Sequence, residues 1–153
     1  MWNRKHSATL SIVVCWVVVA VLTAAVFTFP WIVDEWFGSY RGWNENSVEY
    51  MMTLLLSTFY PCAVLAYVTL YNLIRMLCNI RREQVFIQHN VTHLRRISWC
   101  CFGVAGITLV SCVFYLPYLM IGVAAGFVGL MLRVVKNVMQ SAVEIREENE
   151  LTI

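Results

Sequence analysis

From Ala8 to Val33 the chain carries no charged side chain, and about 20 consecutive apolar residues suffice for a helix to cross the hydrocarbon of a bilayer. In lipid a segment must satisfy its own backbone hydrogen bonds, so a helix is the conformation such a run has to take. The preceding Asn3-Arg4-Lys5-His6 resembles the basic start of a secretory signal, but the apolar run is longer than the roughly 7–15 residues of a signal core. It reads as a retained span, with a cleaved signal as the lesser alternative. Composition agrees with a lipid-solvated chain: 60% of the 153 residues are hydrophobic and 13% charged, against about a quarter charged in soluble domains.

Three more apolar runs follow. The segment from Asp34 to Glu49 is polar and reads as a loop, and a second run extends from Tyr50 to about Leu77 with Pro61 inside it. A proline lacks its N–H and crowds the preceding turn, so a kink is expected there. A third run spans Ile97 to Tyr115 and a fourth begins at Leu119, with only Leu116-Pro117-Tyr118 between them. So short a connection, with proline as a helix stopper, predicts an antiparallel hairpin. The expected architecture is all-α, a polytopic four-transmembrane-helix bundle with spans at about 8–33, 50–77, 97–115 and 119–137, a loop at 78–96 and a tail at 138–153. Arg133 and Lys136 mark the end of the fourth span, where long basic side chains snorkel to the headgroups.

Orientation follows from the excess of lysine and arginine on the cytoplasmic side of short loops. With both termini inside, ten of the 11 basic residues fall in the cytoplasm and Arg41 alone lies outside. The expected location is the cell membrane, multi-pass, with Trp31, Trp36, Trp43, Tyr115 and Tyr118 at the outer interface, the level that amphipathic rings prefer. The same topology removes Asn90-Val91-Thr92 as a glycosylation site, since it would face the cytoplasm.

Two stretches at the basic end carry a resemblance. The first holds Leu73, Leu77, Ile80, Val85-Phe86, Asn90 and Leu94-Arg95-Arg96-Ile97; the second holds Val135, Val138, Ala142, Ile145-Arg146 and the ending Glu148-Asn149-Glu150-Leu151-Thr152-Ile153. Together they resemble the bacterial four-helix membrane proteins catalogued as domain of unknown function 2975. In that family the residue after the loop phenylalanine is commonly serine, whereas this chain has Ile87. The resemblance implies a membrane protein without known enzymatic activity, often encoded beside a small helix-turn-helix transcription regulator.

The chemistry-bearing residues divide into weak and informative sets. His89 and His93 lie four apart, on one face of a helix, where two imidazoles can reach one metal. No partner set accompanies them, and Asn90 stands where a zincin would place glutamate, so a solvated loop or helix face is the preferred reading. The six cysteines lie within or beside apolar runs without paired C-x-x-C modules and read as small buried hydrophobes. No cofactor and no metal is expected. Gly122, Gly126 and Gly129 predict a helix-packing face, because small residues let backbones approach closely in lipid. The preferred partner is the third span through Gly103 and Gly106, ahead of a homo-oligomer interface.

No Asp, Glu, Lys, Arg or His occurs between Ala8 and Val33, Met51 and Ile74, or Ile97 and Leu132. Coupled transporters place ionisable groups within the membrane, so ion-coupled transport is disfavoured. Neither a phosphate loop nor a nucleophile elbow is present, and no enzyme is expected. Beyond the fourth span, Val135, Val138, Met139, Ala142 and Ile145 recur at helical spacing, as in an amphipathic extension. The leading expectation is a non-enzymatic regulatory membrane protein that binds a cytoplasmic partner, such as a helix-turn-helix regulator, through Arg81, Arg82, Arg95, Arg96, Glu144, Glu147, Glu148 and Asn149. Direct nucleic-acid binding is not expected. The alternatives are a small oligomeric channel or exporter for apolar compounds, or an immunity-type membrane protein.

Overall fold

The computed structural model describes residues 4–38, 45–82 and 84–151, so the centre of the first loop, Glu83 and the last two residues lie outside the described chain. Those residues form four helices: α1, Arg4–Gly38; α2, Glu45–Arg81; α3, Gln88–Ser111; and α4, Pro117–Leu151. All four are long and apolar enough to cross a membrane. The helices extend beyond the apolar runs because helical hydrogen bonding continues past the hydrocarbon wherever the polar sequence tolerates it. Asp34–Gly38 and Glu45–Glu49, read as loop, are helical. The connection placed at 78–96 shrinks to a short turn after Arg81, closed by backbone bonds from Arg82 N to Asn79 O and from Gln84 N to Asn79 O.

The hairpin between the last two spans also differs from its sequence reading. Helix α3 ends at Ser111 instead of continuing to Tyr115, and Pro117 opens α4 instead of stopping a helix. At the first helical position the missing proline N–H has no partner to lose, and its fixed φ suits the helix. Helix α2 runs through Pro61. Just before it, Ser57 Oγ and Thr58 Oγ1 both donate to Leu54 O. At the start of α3, Ile87 occupies the N-cap with extended φ −129 and ψ 144 and makes no side-chain cap bond; its aliphatic chain has no acceptor to offer the free N–H groups.

Close backbone packing joins only consecutive helices among the described residues, with the most extensive interface between α3 and α4. Helix α1 lies against α2 alone, so the bundle is a row open along α1. Near the α3–α4 turn, Tyr118 comes close enough to Thr58 and Cys62 to interact with α2 as well. Each interface carries a hydroxyl clasp. Tyr67 Oη donates to Thr23 Oγ1 at 2.8 Å, because the threonine proton is committed to Val19 O. By the same reasoning Ser111 Oγ donates to Thr58 Oγ1 at 2.9 Å, and Ser98 Oγ donates to Gly129 O at 2.8 Å. Such bonds contribute about 0.6–2 kcal/mol each between membrane helices. A stacked pair, Phe29 and Phe59, with centroids 3.9 Å apart, adds apolar contact between α1 and α2.

The glycine face of α4 packs on α3, but not against the residues expected. A Cβ on Gly122 would lie 2.7 Å from Leu109 Cγ, one on Gly129 would lie 3.3 Å from Cys101 Cβ, and one on Gly126 would lie 3.7 Å from Ala105 Cβ. Gly103 instead faces Leu65 of α2, and Gly106 has open space around it. The reason is angular: on one helix Cys101, Ala105 and Thr108 recur at i, i+4 and i+7, whereas Gly103 and Gly106 point elsewhere.

Candidate functional site at the basic end

The apolar row ends in a polar core between α2 and α3. Among the described residues Asn90 is the one side chain buried to under 2% exposure. Its Nδ2 donates to Gln84 O at 2.9 Å and Val85 O at 2.8 Å, and its Oδ1 accepts from Asn79 Nδ2 at 2.9 Å. One side chain therefore holds the α2–α3 turn and ties it to the end of α2. With 0% exposure and a committed amide, Asn90 is also sterically closed to glycosylation.

One turn further along α3 lies a second pair. Asn72 Nδ2 donates to Val68 O, which orients Oδ1 towards His93 Nδ1 at 2.8 Å. Because an amide oxygen only accepts, His93 carries its proton on Nδ1, and in the neutral ring Nε2 is a bare acceptor. That Nε2 is buried without a hydrogen-bond partner. His89, exposed, packs edge-on against His93 with centroids 4.6 Å apart. No group of three or more metal-ligating side chains forms among the described residues, and Arg75 and Arg96 are near enough to act electrostatically on His93. A cation there would meet two positive charges.

The predicted partner-binding residues sit on the outside of this core. Arg81, Arg82, Arg95 and Arg96 are exposed, as are Glu144, Glu147, Glu148 and Asn149 on α4. The tail read as 138–153 is continuous helix to Leu151, so α4 carries these carboxylates away from the apolar run on a rigid element. Glu144 Oε1 accepts from Gln140 Nε2 at 3.0 Å. No ion pair joins Glu144 or Glu147 to the four arginines among the described residues, and the Glu150 side chain lies outside them. Val143, 2% exposed, anchors the tail.

Arg133, at the end of the fourth apolar run, lies against α3. Its guanidinium lies over the Trp99 ring, 5.5 Å from the centroid, and 5.9 Å from that of Phe102. Phe102 is level with Gly129, which lies one turn nearer the apolar centre of α4 than Arg133 itself. Side chains lean towards the N-terminus of their helix, which in the antiparallel α3 carries the Trp99 ring towards the basic end, where it meets the Arg133 charge.

Asn72 and Asn79 escaped the sequence reading. Asn72 is the only amide side chain within the three uncharged runs, and a lone buried amide demands a partner. That signal pointed to it.

With this geometry in place the comparisons are decisive about kinship. The family described as "Protein of unknown function (DUF2975)" matches residues 36–153. The chain belongs to that family. It is also similar to the "Uncharacterized membrane protein YoaS" of Bacillus subtilis (strain 168), with 24% identity over 168 residues that cover 99% of each chain. No solved structure matches. The kinship and the four apolar helices make this a polytopic integral membrane protein, and the family match includes both the polar core and the tail.

Proposed function

We propose that the protein is a non-enzymatic regulatory membrane protein whose cytoplasmic end binds a soluble partner, of which a helix-turn-helix transcription regulator is the leading instance. The observation that carries the reading is the separation of charge at the basic end. Exposed Arg81, Arg82, Arg95 and Arg96 and exposed Glu144 and Glu147 form no ion pairs with one another among the described residues. Charges serving only this chain's stability would gain by pairing at home, although an exposed pair contributes only about 0–1 kcal/mol. Separated patches of both signs instead suit steering and register with a partner of complementary charge. The polar core supports this reading, because Asn90 and Asn79 fix the α2–α3 turn that follows Arg81.

The test is deletion of Glu147–Ile153 from the full-length protein in its native membrane. Insertion and melting in detergent are expected to stay close to the parent while copurification of the cytoplasmic partner is lost. Undiminished partner capture by the truncated chain would remove the tail from the proposal. A quadruple Arg→Gln variant at 81, 82, 95 and 96 then asks the same question of the basic patch.

A further inference from the structure

We propose that Arg133, Trp99 and Arg95 form a seat for the phosphate of an anionic glycerophospholipid in the leaflet at the basic end. The seat is separate from the tail, so it stands whether or not the tail binds a partner.

Arg133 is exposed, and its guanidinium is held over the faces of Trp99 and Phe102. The two rings stand edge-to-face with centroids 6.4 Å apart. Ring faces attract a cation, and the attraction grows as water is removed, but they supply no hydrogen-bond acceptor for the five guanidinium N–H groups. No carboxylate pairs with Arg133 among the described residues. An exposed guanidinium at the membrane boundary with no carboxylate beside it among the described residues leaves its N–H groups open to an acceptor from outside. At that depth on an exposed surface, the available anion is a lipid phosphate.

The surroundings fit that occupant. Trp99 is 61% exposed, so an acyl chain can lie along its ring while the indole N–H faces the headgroup region, the usual station of interfacial tryptophan. Arg95 is exposed one turn before Trp99 on the same face of α3, on the aqueous side of the ring. Lys136 lies one turn beyond Arg133 on α4, its Nζ bonded to Asn137 Oδ1 at 3.1 Å. Planar guanidinium groups bind phosphate oxygens in pairs, and a second cation nearby favours a headgroup with net negative charge over a zwitterionic one, whose ammonium would be repelled.

The experiment uses the full-length protein purified in a neutral detergent, with melting and native mass spectrometry read as short-chain phosphatidylglycerol, phosphatidylcholine or inorganic phosphate is added. Phosphatidylglycerol is expected to raise the melting temperature and to remain bound in the gas phase, phosphatidylcholine to do so much less, and inorganic phosphate not at all. R133Q should weaken phosphatidylglycerol binding about tenfold or more, the scale of one charge-assisted contact, while R133K should fall between parent and R133Q. R146Q, on the distant tail, should bind like the parent. Should R133Q fold poorly, R95Q and W99L report on the same seat from α3. Equal response to the two lipids, an equal response to inorganic phosphate, or parent-like phosphatidylglycerol binding by R133Q, or by R95Q and W99L in its stead, would overturn the proposal.

Discussion

Replacing Asn90 should unfasten the basic end of the molecule more than any other single polar substitution. The side chain makes three hydrogen bonds, two to the carbonyls of Gln84 and Val85 and one from Asn79, at 0% exposure. A net contribution of about 0.5–1.5 kcal/mol for each bond sets a loss of about 1.5–4.5 kcal/mol for Asn90→Ala. Gln84 is exposed and its carbonyl has access to water, whereas Val85 is half-buried, which places the expectation near the middle, about 2–3 kcal/mol. For a chain of this size that is a fall of roughly 5–10 °C in melting temperature. Asn90→Asp should be worse still, because a carboxylate oxygen would replace the donor that faces two carbonyls, at a position with 0% exposure. Asn79→Ala removes one of the three bonds and should cost about 1 kcal/mol, and in the Asn79→Ala, Asn90→Ala double variant the two losses should overlap by that amount. The assay is reversible unfolding of the detergent-solubilised protein, with hydrogen exchange at residues 84–90 as the local readout. An Asn90→Ala protein that melts with the parent and protects those amides equally would refute the reasoning.

Further outcomes follow from the same geometry. Gly106→Ala, with open space around the new methyl, and Gly126→Ala, with Ala105 at 3.7 Å, should be neutral or raise stability by up to about 1 kcal/mol through helix propensity; Gly122→Leu should lower it by about 1–3 kcal/mol by overpacking against Leu109 and Thr108, measured by melting in detergent. Thr58→Val and Ser111→Ala remove the same clasp, so each should cost about 1 kcal/mol and the double variant little more than either, a pattern a double-mutant cycle reads directly. Asn72→Leu should leave His93 without any polar partner and cost about 1–3 kcal/mol, whereas Asn72→Gln should be partly tolerated. Thiol labelling of sealed cells should reach cysteines introduced at 38–46 and spare those at Arg82 and Glu148; the reverse pattern would invert the orientation drawn from ten of 11 basic residues.

The four helices were legible in the residues because membrane spanning is a local property. Each apolar run must satisfy its own backbone, so its length alone forces a helix whatever surrounds it. The ends of the helices were less legible. Hydropathy records where lipid contact stops, while Gln88–Arg96 and the tail to Leu151 remain helical beyond the apolar runs. Local chemistry also identified Gly122, Gly126 and Gly129 as small, without naming what they meet. Within lipid a neighbouring helix is no more apolar than the solvent, so hydropathy carries no information about which face is packed. Only tertiary structure decided that Gly106 looks into open space while Gly122 touches Leu109, that Asn72 orients His93, and that Arg133 lies over Trp99 of the neighbouring helix. Each depends on the register between antiparallel helices, which is set by close backbone approach and a few directional hydrogen bonds and leaves no period in the sequence.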